Sequence, residues 1–316
     1  MKKLGVLFLV IFLLGWVGTG LTALVTISDL FFDLGTNYDN TDQDTQTSRF
    51  AVFDLDDYHY LTFNNVTALS NLTAGITFSE GGHAIVQQLQ DLGRNAIVDD
   101  EDMVYQAIKD SNDTVSGSWE LTLTWSGLTG SIYQSTIDPL SGDIYMYVKY
   151  DPGAHFYLWL DTSPDAYENG TASDPTDDTG FGTDTDTVQI LEAELESGYG
   201  CITYDPTFPN FYTSKWSRFS LKVISVIDNT TAPYLDSDSY DLQDLVGKEL
   251  LFSALTSASP GGQLLWDTDA NGQLVLKGQG EGTFRLQAAP EPATLLLVGS
   301  SLFLVGLVAR KRRVKA

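Results

Sequence analysis

The sequence predicts a mainly β protein: an antiparallel sandwich or jelly-roll-like ectodomain with one or two short helices, set between an N-terminal signal peptide and a C-terminal transmembrane helix. Three observations predict it. Several stretches of the 316-residue chain alternate apolar and polar side chains with period two. Turn-forming dipeptides such as Ser126-Gly127, Ser141-Gly142, Pro152-Gly153 and Asn271-Gly272 punctuate those stretches. The long uncharged apolar runs sit at the two ends, each beside basic residues.

Residues 1–23 have the layout of a secretory signal peptide. Lys2 and Lys3 form a positive start, Leu4 to Val17 is apolar, and Gly18-Thr19-Gly20 and Leu21-Thr22-Ala23 suit a cleavage region. Cleavage after Gly20 or Ala23 fits, although neither is an A-x-A site. The other reading is an uncleaved anchor, for which the apolar run is short.

The middle, residues 24–289, reads as one acidic β-rich domain. Trp119, Leu121, Leu123 and Trp125 share one face of a strand, with Glu120, Thr122 and Thr124 on the other. Ile144, Met146, Val148 and Tyr150 likewise oppose Tyr145, Tyr147 and Lys149. Residues 155–160 form a short apolar strand, and Phe219, Leu221 and Val223 point inward from an alternating stretch at 218–226. Gln263–Trp266, Gln273–Lys277 and Thr283–Gln287 read as closing strands. Helical spacing of Ala84-Ile85-Val86, Leu89, Met103, Val104 and Ile108 suggests a helical patch over 83–110, and residues 241–255 suggest a shorter helix. Residues 161–187, rich in Asp, Thr, Gly and Ser, read as a long surface loop. The turn signal Ser116-Gly117 precedes the first of these strands.

At the C-terminus, Ala293 to Ala309 is a 17-residue uncharged apolar run, followed at once by Arg310-Lys311-Arg312-Arg313. At about 1.5 Å rise per residue it spans roughly 25 Å, enough for a thin bilayer. The basic cluster stays cytoplasmic by the positive-inside rule, so the middle domain faces outward, in agreement with the N-terminal signal.

Pro290-Glu291-Pro292 stands directly before that run. The order of Pro-Glu-Pro, apolar helix and Arg-rich tail resembles the PEP-CTERM sorting signal of Gram-negative bacteria, over Pro290 to Ala316. Many members carry Val before the motif, where this chain has Ala289. The resemblance implies recognition by an exosortase, a membrane-embedded cysteine transpeptidase or protease, in a host that exports exopolysaccharide. Pro290, Glu291 and Pro292 are then the processing motif. Arg310, Lys311, Arg312 and Arg313 are the stop-transfer cluster that holds the chain transiently in the inner membrane. The prolines keep the segment before the helix extended and open to a protease. A plain single-pass anchor is the alternative.

Composition narrows the function classes. There are 42 Asp plus Glu against 17 Lys plus Arg, a formal net charge of −25. Seven of the basic residues lie in the terminal segments, so the middle holds ten basic against 41 acidic residues, a balance of −31. Nucleic-acid binding is excluded, because it needs a basic face. A single cysteine, Cys201, rules out an intramolecular disulfide framework and a Cys-rich zinc module, and reads as a small buried residue.

Catalytic signatures are missing. There is no G-x-S-x-G elbow, H-E-x-x-H or phosphate loop, and His59, His83 and His155 show no metal spacing. They read as exposed or satisfied strand and loop residues. Acidic groups such as Asp54, Asp56 and Asp57 read as solvated surface charge. The domain is therefore expected to be non-enzymatic.

Two binding readings are sharper. Asp267, Asp269 and Asn271, in Asp267-Thr268-Asp269-Ala270-Asn271-Gly272, match the opening half of a calcium loop, with calcium as the implied cofactor. Its twelfth position is Gly278 and not Glu, so the closing ligand is missing. A hairpin with Asn271-Gly272 as a two-residue turn is the alternative. Tyr145, Tyr147, Tyr157 and Trp159 are candidates for stacking on sugar rings, against ordinary packing. The five Asn-x-Ser/Thr sequons, at Asn65, Asn71, Asn112, Asn169 and Asn229, mean no more than a Thr-rich surface.

The layout is also similar to that of flocculation-associated PEP-CTERM proteins, including the strand Gly142-Asp143-Ile144-Tyr145-Met146-Tyr147. The expected function is an exported cell-surface or matrix protein, sorted by an exosortase and associated with exopolysaccharide, biofilm or floc formation. A carbohydrate-binding module and a secreted hydrolase are the alternatives.

Overall fold

A computed structural model describes residues 25–35, 46–95, 119–161, 187–207, 214–227, 232–257 and 264–288. The strands in chain order are β1 (Val25–Thr26), β2 (Leu30–Asp33), β3 (Val52–Phe63), β4 (Thr77–Gln90), β5 (Glu120–Ile137), β6 (Ile144–Tyr150), β7 (His155–Asp161), β8 (Thr187–Tyr204), β9 (Ser214–Val226), β10 (Tyr234–Ser237), β11 (Glu249–Ser257), β12 (Leu264–Thr268) and β13 (Leu274–Ala288). The predicted signal peptide, the C-terminal helix, Ser116-Gly117 and most of the 161–187 loop lie outside the described residues. Among the described residues no helix is long and apolar enough to cross a membrane.

The β class holds, and every ladder given by residue register is antiparallel. The expected sandwich or jelly roll does not. Eleven strands form one sheet, and β3 pairs with β4 on one edge and with β13 on the other. The sheet thus closes into an up-and-down barrel of eight lanes taken in chain order: β3, β4, β5, β6 with β7, β8, β9, β11 with β12, and β13. Closure leaves the long strands with no bare edge, as two stacked sheets would.

β6 and β7 share a lane. β5 pairs with β7 through Glu120–Ser126 and with β6 through Gly130–Ile137, and β8 divides in the same way. Pro152-Gly153 connects the two, as its turn signal predicts. Ser126-Gly127 differs: it lies inside β5, opposite that break, and bends one long strand. Those two residues form a β-bulge, set opposite Gly81 alone of β4. At Gly82 a Cβ would stand 2.1 Å from the Tyr58 carbonyl oxygen and 2.5 Å from Trp125 Cζ2, so only glycine fits.

The predicted faces survive in the core. Leu121, Leu123, Met146, Val148, Tyr150, Phe219, Leu221 and Val223 are all buried. Tyr150 packs edge-on against Phe219 (4.9 Å) and Phe78 (5.4 Å), with Phe156 5.6 Å from Phe219. Phe53 and Phe284 meet at 5.1 Å across the closing seam. β2 and β10 form a separate two-stranded sheet. Its Phe32 stacks on Phe50 (5.5 Å) and meets Trp119 (5.9 Å). Each fully buried aromatic of this kind contributes about 1.5–3 kcal/mol by transfer from water.

Two helical expectations are overturned. Residues 83–90 belong to β4 and not to a helix, while 96–110 lie outside the described residues. His83 to Val86 are buried on both faces of β4, and the extra residue Gln87 opposite Asp54/Leu55 then shifts the period of two before Leu89, so the apolar pattern mimics helical spacing. Residues 241–255 hold only a 3-10 turn, Leu242–Leu245, capped by the Asp241 side chain accepting from the Gln243 N–H, before β11 begins. The strands expected at Gln273–Lys277 and Thr283–Gln287 are one strand, β13. Its Gly278-Gln279-Gly280-Glu281-Gly282 segment hides the alternation, because glycines occupy the inward positions.

Candidate functional site

Four aromatic candidates lie on the outside of the barrel. In β6 the alternation turns Met146, Val148 and Tyr150 inward, so Tyr145, Tyr147 and Lys149 face out. Tyr147 is 6.2 Å from Tyr133, itself 55 % exposed. On the neighbouring lanes Tyr199 and Trp216, 48 % and 39 % exposed, meet edge to face at 6.1 Å. Register links the groups: Tyr147 faces Cys201, and Cys201 faces Trp216. Desolvation, and then the Asp138 and Asp143 carboxylates, push the Tyr145 hydroxyl above its usual range. Cys201 is buried, and its burial raises the thiol.

Tyr157 and Trp159 form a second, separate group on β7. Their rings are 5.8 Å apart, and His155 continues the row at 6.0 Å from Tyr157. The Trp159 Nε1–H donates to Thr124 Oγ1 at 2.9 Å, and His155 Nδ1 lies 2.9 Å from Glu192 Oε1. His155 and Tyr157 are stacked, and Tyr157 and Trp159 are tilted by 34°.

Asp267, Asp269 and Asn271 lie at the β12–β13 hairpin. The connection is not the expected two-residue turn. Asp269 N–H donates to the Gln273 carbonyl, Gly272 N–H donates to that of Asp269, and Gly272 takes φ +75°, the pattern of a three-residue loop with a left-handed glycine. Asp269 Oδ1 accepts from the N–H groups of Asn271 (2.9 Å) and Gln273 (2.7 Å). The Gln273 N–H, followed by that of Asn271, holds this carboxyl below its ordinary range. Asp267 Oδ2 is 3.4 Å from Lys277 Nζ. Among the described residues no group of three His, Cys, Asp or Glu side chains is placed to hold a metal ion.

The barrel interior contains a polar cluster that the sequence reading passed over. Glu80 Oε1 is 2.5 Å from Lys215 Nζ, and both side chains are 3 % exposed. Tyr150 OH donates to Glu80 Oε2 at 2.8 Å and lies 3.0 Å from Ser217 Oγ. Burial, then the Glu80 charge, raises the Tyr150 hydroxyl well above its usual range, so it stays a donor. Asp57, expected as solvated charge, is buried. Its Oδ2 lies 2.9 Å from Nδ1 of His59, a fully buried residue. Among the described residues, Asp57 Oδ1 and His59 Nε2 find no hydrogen-bond partner. The signal was available: Asp57 and His59 share parity with Phe53, Leu55, Leu61 and Phe63, as Lys215 and Ser217 do with Phe219 and Leu221.

Pro290, Glu291, Pro292 and the basic cluster at 310–313 lie outside the described residues. Residues 288–313 match the family model of the PEP-CTERM protein-sorting motif. No curated protein and no solved structure matches the chain. The match covers the tail and not the barrel, and the tail carries the address. What the match identifies is the tail: residues 288–313 carry the PEP-CTERM protein-sorting motif, which indicates an exported protein sorted by an exosortase.

Proposed function

We propose that the protein is a non-catalytic cell-surface or matrix protein whose acidic barrel associates with exopolysaccharide in biofilm or floc. The C-terminal helix anchors it transiently in the inner membrane before exosortase processing near Pro290-Glu291-Pro292 frees it to the surface. The observation that carries the reading is the placement of large aromatic side chains, Tyr133, Tyr199 and Trp216, on the solvent side of an exported barrel. Exposed rings can stack on the apolar faces of sugars. At −31 across residues 24–289, copies repel one another, and divalent cations relieve that repulsion.

Co-sedimentation of the exported protein with purified exopolysaccharide of its host tests the reading. Retention on the polymer, weakened by EDTA, is the expected result. Failure to bind any polysaccharide would overturn it.

A further inference from the structure

The outer wall of this acidic barrel has one region built to the opposite rule. The outward positions in register with Tyr145, Tyr147 and Lys149, followed from β5 across to β9, hold Thr, Ser, Gln, Cys, Tyr, Trp and Arg, with no Asp or Glu. Lys149 faces Tyr199, and Tyr199 faces Arg218 on the next lane. Both basic side chains are exposed. Neither makes an ion pair among the described residues, although the chain holds 42 acidic residues against 17 basic. Around them stand Tyr133, Tyr147, Tyr199 and Trp216. Among the described residues, carboxylates border the region at its ends, Asp138 and Asp143 at the β5–β6 turn and Asp151 and Glu196 past Lys149 and Tyr199. The aromatic row of β7 is different, since Glu192 and Glu194 of β8 lie in register with it.

We propose that this wall, centred on Lys149, Tyr199, Trp216 and Arg218, binds an anionic polysaccharide, a chain of sugar rings bearing carboxylates. The inference rests on the exopolysaccharide reading and names its ligand class. Each part has a chemical role. The rings take the C–H faces of the sugars. Lys149 supplies a point charge, and Arg218 a planar fork that matches a carboxylate. The lack of carboxylates matters as much. On a domain with a balance of −31 the surface as a whole repels an anion, so a site for one needs local positive charge. A neutral glycan would need no such clearing of acidic residues.

The test compares retention of the exported protein on polygalacturonate, a polyuronate, and on dextran, a neutral glucan. Polygalacturonate should be bound and dextran should not, with binding falling as salt is raised from 50 to 500 mM, about threefold in Debye length. Lys149→Glu with Arg218→Glu should weaken polygalacturonate binding about tenfold, about 1.4 kcal/mol over two exposed charge contacts. Trp216→Ala should weaken it without changing its salt dependence. Thermal unfolding of each variant should match the parent, since all three side chains lie outside the core.

Dextran bound as well as polygalacturonate, with no effect of charge reversal, would overturn the inference and leave the glycan reading standing. Binding to neither polymer or to the host polysaccharide would overturn both. If the charge reversal instead abolishes self-association seen by size exclusion, the wall is an interface between copies and the inference falls.

Discussion

Replacing Lys215 by Met should unfold the barrel at markedly lower temperature. The Lys215 ammonium lies 2.5 Å from Glu80 Oε1 in a site where both side chains are 3 % exposed, and Tyr150 alone holds the other oxygen. Met keeps the stem of Lys215 against the core but strands the Glu80 charge with one hydroxyl donor. Removing one partner of a buried pair costs about 3–5 kcal/mol. A domain of this size loses about 2–4 °C per kcal/mol, so the melting temperature should fall by roughly 6–20 °C. Thermal unfolding followed by near-UV circular dichroism reads this directly. The double variant Glu80→Gln, Lys215→Met should recover most of the loss, because the uncompensated charge is gone. A single variant that melts within about 2 °C of the parent, or a double variant no better than the single, would refute the reasoning.

Other expectations concern the hairpin and the tail. Because the Gln273 and Asn271 N–H groups hold the Asp269 carboxyl below its unfolded value, its stabilising effect is present above about pH 4 and is lost as pH falls through the lowered folded value. Amide exchange at Asn271 and Gln273 should accelerate in that acid window, and in Asp269→Ala it should be fast at every pH. Since the turn already uses Asp269, millimolar calcium should leave the melting temperature unchanged. A rise that disappears in Asp267→Ala would assign the loop to the metal instead. Deletion of Arg310 to Lys315 should leave unprocessed or mislocalised protein on fractionation, and normal surface display of that variant would count against a stop-transfer role.

What could be read ahead of the structure was the local alternation. Met146, Val148 and Tyr150 are buried opposite Tyr145, Tyr147 and Lys149, as period two requires, and the same holds for Phe219, Leu221 and Val223. The ring closure was not legible, because no local pattern announces that Phe53 pairs with Phe284. The reading of β4 was defeated by burial on both of its faces at His83 to Val86 and by the bulge at Gln87, since one extra residue moves the pattern to the other face. Asp57 was misplaced for a simpler reason. Beside Asp54 and Asp56 it looks like part of a charged run, yet those two share the outer parity and Asp57 the inner one. On the wall, the aromatic residues were visible as candidates, but which of them stand beside Lys149 and Arg218 depends on lanes far apart in sequence.

The closing seam also orders the maturation of the molecule. Export delivers the chain N-terminus first, so β3 emerges early with β4 as its neighbour, and its other neighbour comes about 230 residues later. Until then, the edge of β3 is open to the wrong strand. β13 ends at Ala288, two residues before Pro290. A cut at the Pro-Glu-Pro motif is therefore the earliest scission that spares every strand of the ring, and any cut within β13 would release a protein with its seam undone. On the processing proposed above, a signal placed directly after β13 would make release a step that follows completion of the ring.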